Sequence, residues 1–251
     1  MVSRLTSAGQ DSIAALDFTI SNRDVRDLVV ATIPRSTASG EIVWDNQPIV
    51  ASVESLQVRT FPSSGGANPN FLNNIPGRFS FDVVAGLSYF LDISRLASDF
   101  YVKDVTYGGL SILHRPFSPT TGEKKLAITI GRDAGSITAT VLAANSQPVA
   151  TSAVLIVPAT ARTEAEVAAI FHAGVTDENG TYVERGLPPG KYDVFATVDL
   201  PPSRVDRGLI LLIDRTPEAI GKILRARARG KQVEVGPSGA TSVSLAPIRM
   251  D

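Results

Sequence analysis

Short runs of β-branched and aromatic residues, punctuated by Gly, Pro, Asn and Asp, constrain this chain's fold more than any other feature. In the first half such runs read as strands at Leu28–Ile33 (closed by Pro34), Ser39–Trp44, Leu56–Phe61, Phe79–Val83, Tyr89–Ile93, Phe100–Val105 and Leu126–Ile130. In the second half they fall at Ile137–Leu142, Ala153–Val157, His172–Thr176, Thr181–Glu184, Tyr192–Val198, Gln232–Val235 and Thr241–Leu245. Strands this short and this regularly punctuated predict an all-β chain folded as a β-sandwich or barrel.

Two stretches break the pattern in favour of helix. Thr216-Pro217-Glu218 has a capping residue, a Pro suited to the first helical position and an acid at the positive end of the dipole. Ile220, Ile223 and Leu224 form its apolar stripe and Gly230 stops it, which places a short helix near 217–229. Thr163 and Glu166 have capping-box spacing and predict a shorter helix over Thr163–Ala169.

The two halves read as diverged copies. Gly77 is followed two residues later by Phe79 and ten further on by Tyr89; Gly180 is followed in the same way by Tyr182 and Tyr192. Gln47-Pro48 and Gln147-Pro148 precede them, each followed by an apolar strand that closes at a Pro. This organisation predicts a first sandwich at 34–132 and a second at 133–251. Residues 1–33 read as the closing hairpin of a preceding unit, or as strands added to the first sandwich.

Composition narrows the function classes. Of 251 residues 43% are apolar, enough for a packed core. The 24 Lys and Arg against 25 Asp and Glu give a net charge of −1, which argues against a nucleic-acid partner. No Cys is present, which excludes disulfides and thiolate chemistry, and only two His remain for any imidazole chemistry. No apolar stretch follows Arg4 as a signal peptide requires, and apolar runs such as Leu209–Ile213 are far too short to insert in a membrane. No Gly-x-Ser-x-Gly elbow, P-loop or His-Glu-x-x-His occurs, and the sequence calls for no cofactor or metal.

Some residues could carry chemistry, and each has a plainer reading. Asp177, Glu178 and Asn179 offer oxygen ligands for calcium, but Asp177-Glu-Asn179-Gly180 is first of all a tight-turn sequence. Pro188-Pro189-Gly190 sets a turn into the next strand, and Tyr182 and Tyr192 suit rings in the core with hydroxyls at its edge. His114 and His172 lie in different halves. Asp199 and Asp206 form a carboxylate pair on paper, of the kind that usually marks solvated loops. Lys222, Arg225, Arg227, Arg229 and Lys231 put five positive charges into ten residues with no acid among them. They read as a solvated helix face that complements the dipole, or as a docking patch for an acidic polymer, lipid headgroup or protein. Trp44, Phe71, Tyr101 and Tyr107 are the candidate rings for stacking on sugars, with core packing the plainer role for Trp44 because it ends a strand.

The series Gly135–Val141, Pro148, Val154–Pro158, Thr176-Asp-Glu-Asn-Gly180-Thr-Tyr182 and Gly186-Leu-Pro-Pro-Gly190-Lys-Tyr192 resembles the carboxypeptidase regulatory-like domain, a prealbumin-like (transthyretin-like) β-sandwich. With Phe100-Tyr-Val-Lys103, Tyr107-Gly108-Gly109 and Ile112-Leu113, the chain resembles tandem prealbumin-like units of bacterial exported or surface proteins. The resemblance implies an extracytoplasmic, non-catalytic module pair that acts as a spacer or interaction segment, with another envelope protein or a polysaccharide as partner. Carbohydrate binding is the alternative, and a transthyretin-like hydrolase using His114 and His172 a second one. Some relatives carry a Lys–Asn crosslink between first and last strands. Ile137–Leu142 has no Lys and Thr241–Ile248 no Asn, so none is expected in the second sandwich.

Overall fold

In the stretch Arg78–Val84, the residues Phe79, Phe81 and Val83 are buried while Arg78, Ser80 and Asp82 are exposed. That is the alternation of a strand with one dry face and one wet face. Ala153–Val157, in contrast, is buried at every position. A strand buried on both sides needs a layer on each face, and this requirement organises the second half of the molecule.

The computed structural model describes residues 2–8, 12–19, 33–45, 56–62, 70–71, 77–84, 87–94, 96–120, 124–199, 205–206, 209–210 and 217–250. Its first strands are β1 (Val2–Ala8), β2 (Ser12–Thr19), β3 (Ile33–Trp44), β4 (Gln57–Pro62), β5 (Asn70–Phe71), β6 (Arg78–Val84), β7 (Tyr89–Ser94), β8 (Tyr101–Tyr107), β9 (Leu110–Ser111) and β10 (Leu126–Gly131). Next come β11 (Gly135–Val141), β12 (Ala153–Pro158), helix α1 (Glu164–Ile170), β13 (His172–Val175), β14 (Thr181–Leu187), β15 (Gly190–Thr197), β16 (Val205–Asp206) and β17 (Leu209–Ile210). Helix α2 (Pro217–Arg227), β18 (Lys231–Val235), β19 (Ala240–Leu245) and β20 (Pro247–Ile248) complete the described chain. The all-β class expected from the sequence is the observed one, with the two short helices as its only helical elements among the described residues. Thr163 caps α1 with the full capping box, its hydroxyl receiving the Glu166 N–H and the Glu166 carboxylate receiving the Thr163 N–H. Thr216, the expected cap of α2, and most of the expected strand Leu28–Ile33 lie outside the described residues.

The chain forms two compact units. The first comprises Met1–Val43, Pro48–Arg95 and Asp104–Thr129. Here β1 and β2 form an antiparallel hairpin, and β2 continues onto β3 through Ser12 and Ile13. β6 pairs with β3 along Arg35–Glu41, while a second sheet has the order β5-β4-β7. Phe79, Phe81, Val83, Tyr89, Phe117 and Ile128 are buried in this unit, with Phe81 and Phe117 edge to face at 6.4 Å.

The second unit comprises Trp44–Gln47, Leu96–Lys103 and Ile130–Asp251. One sheet has the order β14-β11-β19, and the other β13-β12-β15-β18 with β20 beside β15. Ile137, Ala139 and Val141 meet Val154, Ile156, Val194 and Ala196 between the sheets. On the far side of the larger sheet, Leu155, Val157 and Phe195 meet Val167 of α1 and Ile220, Ile223 and Ala226 of α2. The unit therefore has three layers: helices, five-stranded sheet, three-stranded sheet.

The paired landmarks of the two halves take matching local forms. Gly77 and Gly180 both adopt positive φ, 76° and 70°, immediately before a strand. Tyr89 accepts from Val84 N–H at 2.9 Å through its hydroxyl, and Tyr192 donates to the Pro188 carbonyl at 2.5 Å. Each hydroxyl reaches back to the backbone just upstream.

Phe195 is fully buried among both helices and the sheet. Phe195→Ala is expected to destabilise the protein by about 3–5 kcal/mol, measured by denaturant unfolding.

Candidate functional site

Helix α2 was the sequence's main candidate surface, and its positive charges divide into two sets. Arg227 points inward. Its Nε donates to Asp193 Oδ2 at 2.5 Å, its Nη2 to the Ala159 carbonyl at 3.0 Å, and its Nη1 to the Ala161 carbonyl. Gln232 donates to the other Asp193 oxygen at 3.1 Å. With the side chains 13% and 14% exposed, this is a part-buried ion pair whose remaining hydrogen-bonding capacity is largely used. It ties the end of α2 to β15, β18 and the segment between β12 and α1. Grouping Arg227 with an exposed patch is thus corrected. Positions 220, 223, 224 and 227 share one helical face, so Arg227 continues the apolar stripe rather than the solvent ridge.

The solvent ridge consists of Glu218, Lys222, Arg225 and Arg229. Lys222 pairs with Glu218 at 3.3 Å, one helical turn away. Arg229 donates from Nη2 to the Arg249 carbonyl at 2.5 Å. This bond brings Arg249, which the sequence reading missed, beside the ridge, and Lys231 lies exposed at the start of β18. Arg249 reaches this place because β20 pairs with β15, which chain order does not reveal.

A second cluster closes one side of the sandwich. His172 Nδ1 lies 3.2 Å from Glu184 Oε1, and the Tyr182 hydroxyl donates to Glu184 Oε2. The Tyr182 ring lies over Gly174, where a Cβ would come within 1.8 Å of the ring, so no larger residue fits without displacing it. Burial and the adjacent Glu184 carboxylate push the Tyr182 phenol far above its ordinary range. Burial, with a smaller contribution from Tyr101, does the same to Tyr192. His114 falls in the first unit and His172 in the second.

The turn residues take the positions their sequence predicts. Asp177 Oδ1 accepts from the N–H groups of Asn179 and Thr181 at 2.9 and 2.8 Å, and Gly180 N–H donates to the Asp177 carbonyl at 3.0 Å. Pro189 lies in the bend before β15, which Gly190 opens opposite Val235. Asp199 Oδ2 accepts from Met250 N–H at 2.9 Å, and the side chain of Asp206 lies outside the described residues.

Of the candidate sugar-stacking rings, Trp44 is buried and meets Phe100 edge to face at 5.1 Å, so it presents no platform to solvent. Burial, and then the neighbouring Asp133 carboxylate, push the Tyr101 phenol above its ordinary range. The Tyr107 ring packs 5.2 Å from Phe117, with Lys124 Nζ 5.9 Å from its centre. The side chain of Phe71 lies outside the described residues.

No family model and no curated protein matches the chain. Several solved structures are similar at low identity. The TIE protein of Bacillus anthracis is 11% identical with a TM-score of 0.28; the match covers 94% of this chain and 41% of that one. BcpA, the major pilin subunit of Bacillus cereus, is 10% identical with a TM-score of 0.27, covering 84% of this chain and 99% of that one. The shaft pilin SpaA of Lactobacillus rhamnosus GG is 9% identical with a TM-score of 0.28, covering 86% of this chain and 99% of that one. The chain thus spans about two fifths of the first of these proteins.

Removing Arg227 leaves the part-buried Asp193 carboxylate without its charge partner. Arg227→Ala is expected to cost about 3–5 kcal/mol in denaturant unfolding, and Lys222→Ala, on the surface, less than about 0.5. A phenol whose folded pKa is raised favours the folded state below its unfolded pKa of about 10, and that contribution is lost as pH climbs toward the folded value. Stability is therefore expected to fall above about pH 10. Absorbance titration should show Tyr182 and Tyr192 ionising only with unfolding, and Tyr192→Phe should shrink the late-ionising fraction.

Proposed function

We propose that the chain is a pair of non-catalytic, prealbumin-like β-sandwich modules serving as a spacer or interaction segment of an exported or cell-envelope protein. One observation carries the reading: the reactive side chains of the second unit act as fasteners. Glu184 binds both His172 and Tyr182, and Asp193 binds both Arg227 and Gln232. Tyr192 closes a turn onto Pro188, and the Asp177 carboxylate holds its own turn. Groups used in this way tie layers together, as a spacer requires. The partner in this reading is another envelope protein.

The test is a panel of ester, amide and glycoside hydrolysis substrates, with His172→Ala as the comparison protein. The spacer reading expects no turnover above buffer for either protein. Turnover that His172→Ala abolishes would replace it with the hydrolase reading.

A second reading, binding of an extracellular polymer, is favoured by the ridge of Lys222, Arg225 and Arg229 with Lys231 and Arg249 beside it. With Trp44 buried, such binding rests on charge rather than ring stacking. Titration with an anionic polysaccharide such as heparin is then expected to show saturable binding that weakens about tenfold or more between 50 and 200 mM salt, as counterion release requires when several charges are neutralised. The absence of binding at low salt would remove this reading.

A further inference from the structure

We propose that the second unit is a load-bearing module whose mechanical clamp is the parallel ladder between β11 and β19. This adds a mechanical function to the spacer reading and rests on the topology of the unit. β11 is the first strand wholly within the unit, and β19 is its last long strand. They lie side by side in parallel, with six consecutive partners from Ser136↔Ala240 to Val141↔Leu245. The ladder closes at both ends, with Ser136 N–H on the Gly239 carbonyl at 2.8 Å and Leu142 N–H on the Leu245 carbonyl at 2.9 Å.

Parallel neighbours respond to tension in a specific way. The chain enters β11 beside the start of β19 and leaves β19 beside the end of β11. A pull between residues 132 and 246 therefore drags the two strands in opposite directions along their length. Every ladder hydrogen bond is loaded at once, and the evenly spaced bonds of a parallel pair share the load. A pull on the same end of both strands would instead break the pairs one at a time.

β19 is an edge strand whose partner within its sheet is β11, so this ladder decides when it comes away. Val243 and Leu245 also sit in the core against Ile137, Ala139 and Val141, so sliding β19 drags two apolar side chains through packed surface. Beyond the ladder, β20 pairs with Ala196 and Thr197, and Met250 N–H binds Asp199 at 2.9 Å. A pull from beyond residue 250 meets this short anchor first and the ladder second.

The protein has no cysteine, so thiol handles report only from where they are placed. Arg132, Ala144 and Ala246 are exposed and suit handles. The experiment is single-molecule pulling of the 251-residue chain in two forms, Arg132→Cys/Ala246→Cys, which loads opposite ends of the ladder, and Ala144→Cys/Ala246→Cys, which loads the same end. Both should match the parent protein in thermal unfolding. The opposite-end form is expected to unfold at about twofold or greater force at equal loading rate, because its bonds fail together. Equal forces, or a weaker opposite-end form, would overturn the clamp. Either result leaves the spacer reading to its own substrate test.

Discussion

The five-stranded sheet of the second unit depends on cover from both sides. Val154, Leu155, Ile156, Val194, Phe195 and Ala196 are all essentially inaccessible to solvent, and their side chains alternate between two faces. One face is met by the three-stranded sheet and the other by α1 and α2. Each fully buried aliphatic or aromatic side chain contributes about 1.5–3 kcal/mol relative to exposure, so neither layer is dispensable. The helices are therefore structural walls of the sandwich, and their amphipathic character follows from that role.

Polar side chains then fix how the layers meet. Hydrophobic burial has no direction, so it leaves rotation and sliding of the layers weakly determined. Arg227, Asp193 and the carbonyls of Ala159 and Ala161 set the end of α2 against the sheet. His172, Glu184 and Tyr182 tie the edge strands β13 and β14, one from each sheet, and Gly174 gives the Tyr182 ring its seat. An inward-facing carboxylate on an edge strand also discourages pairing with a stray strand.

Local signals in the sequence predicted local structure well. The alternation of Phe79, Phe81 and Val83 gave the strand, Thr163 and Glu166 gave the capping box, and Asp177-Glu-Asn179-Gly180 gave the turn with its positive-φ glycine. What the sequence hid was non-local. Asp193 is 34 residues from Arg227, and only the fold brings them together. Arg249 joins the basic ridge through the β20–β15 pairing. Arg227 itself was misplaced because a run of positive charges was read as one surface, while its helical phase put it on the buried face with Ile220 and Ile223. The burial of Trp44 followed from its place at a strand end, but its partner Phe100, more than fifty residues later, did not.

Native-state hydrogen exchange tests the central claim most directly, because it ranks the stability of each strand within the intact protein. If cover on both faces of the five-stranded sheet holds the second unit together, amides of β12 and β15 will exchange slowest, at the rate of global unfolding. Interior amides of α2 will share that limit. Fast exchange of α2 while β12 and β15 stay protected would contradict the account, since it would mean the sheet stands without its helical wall.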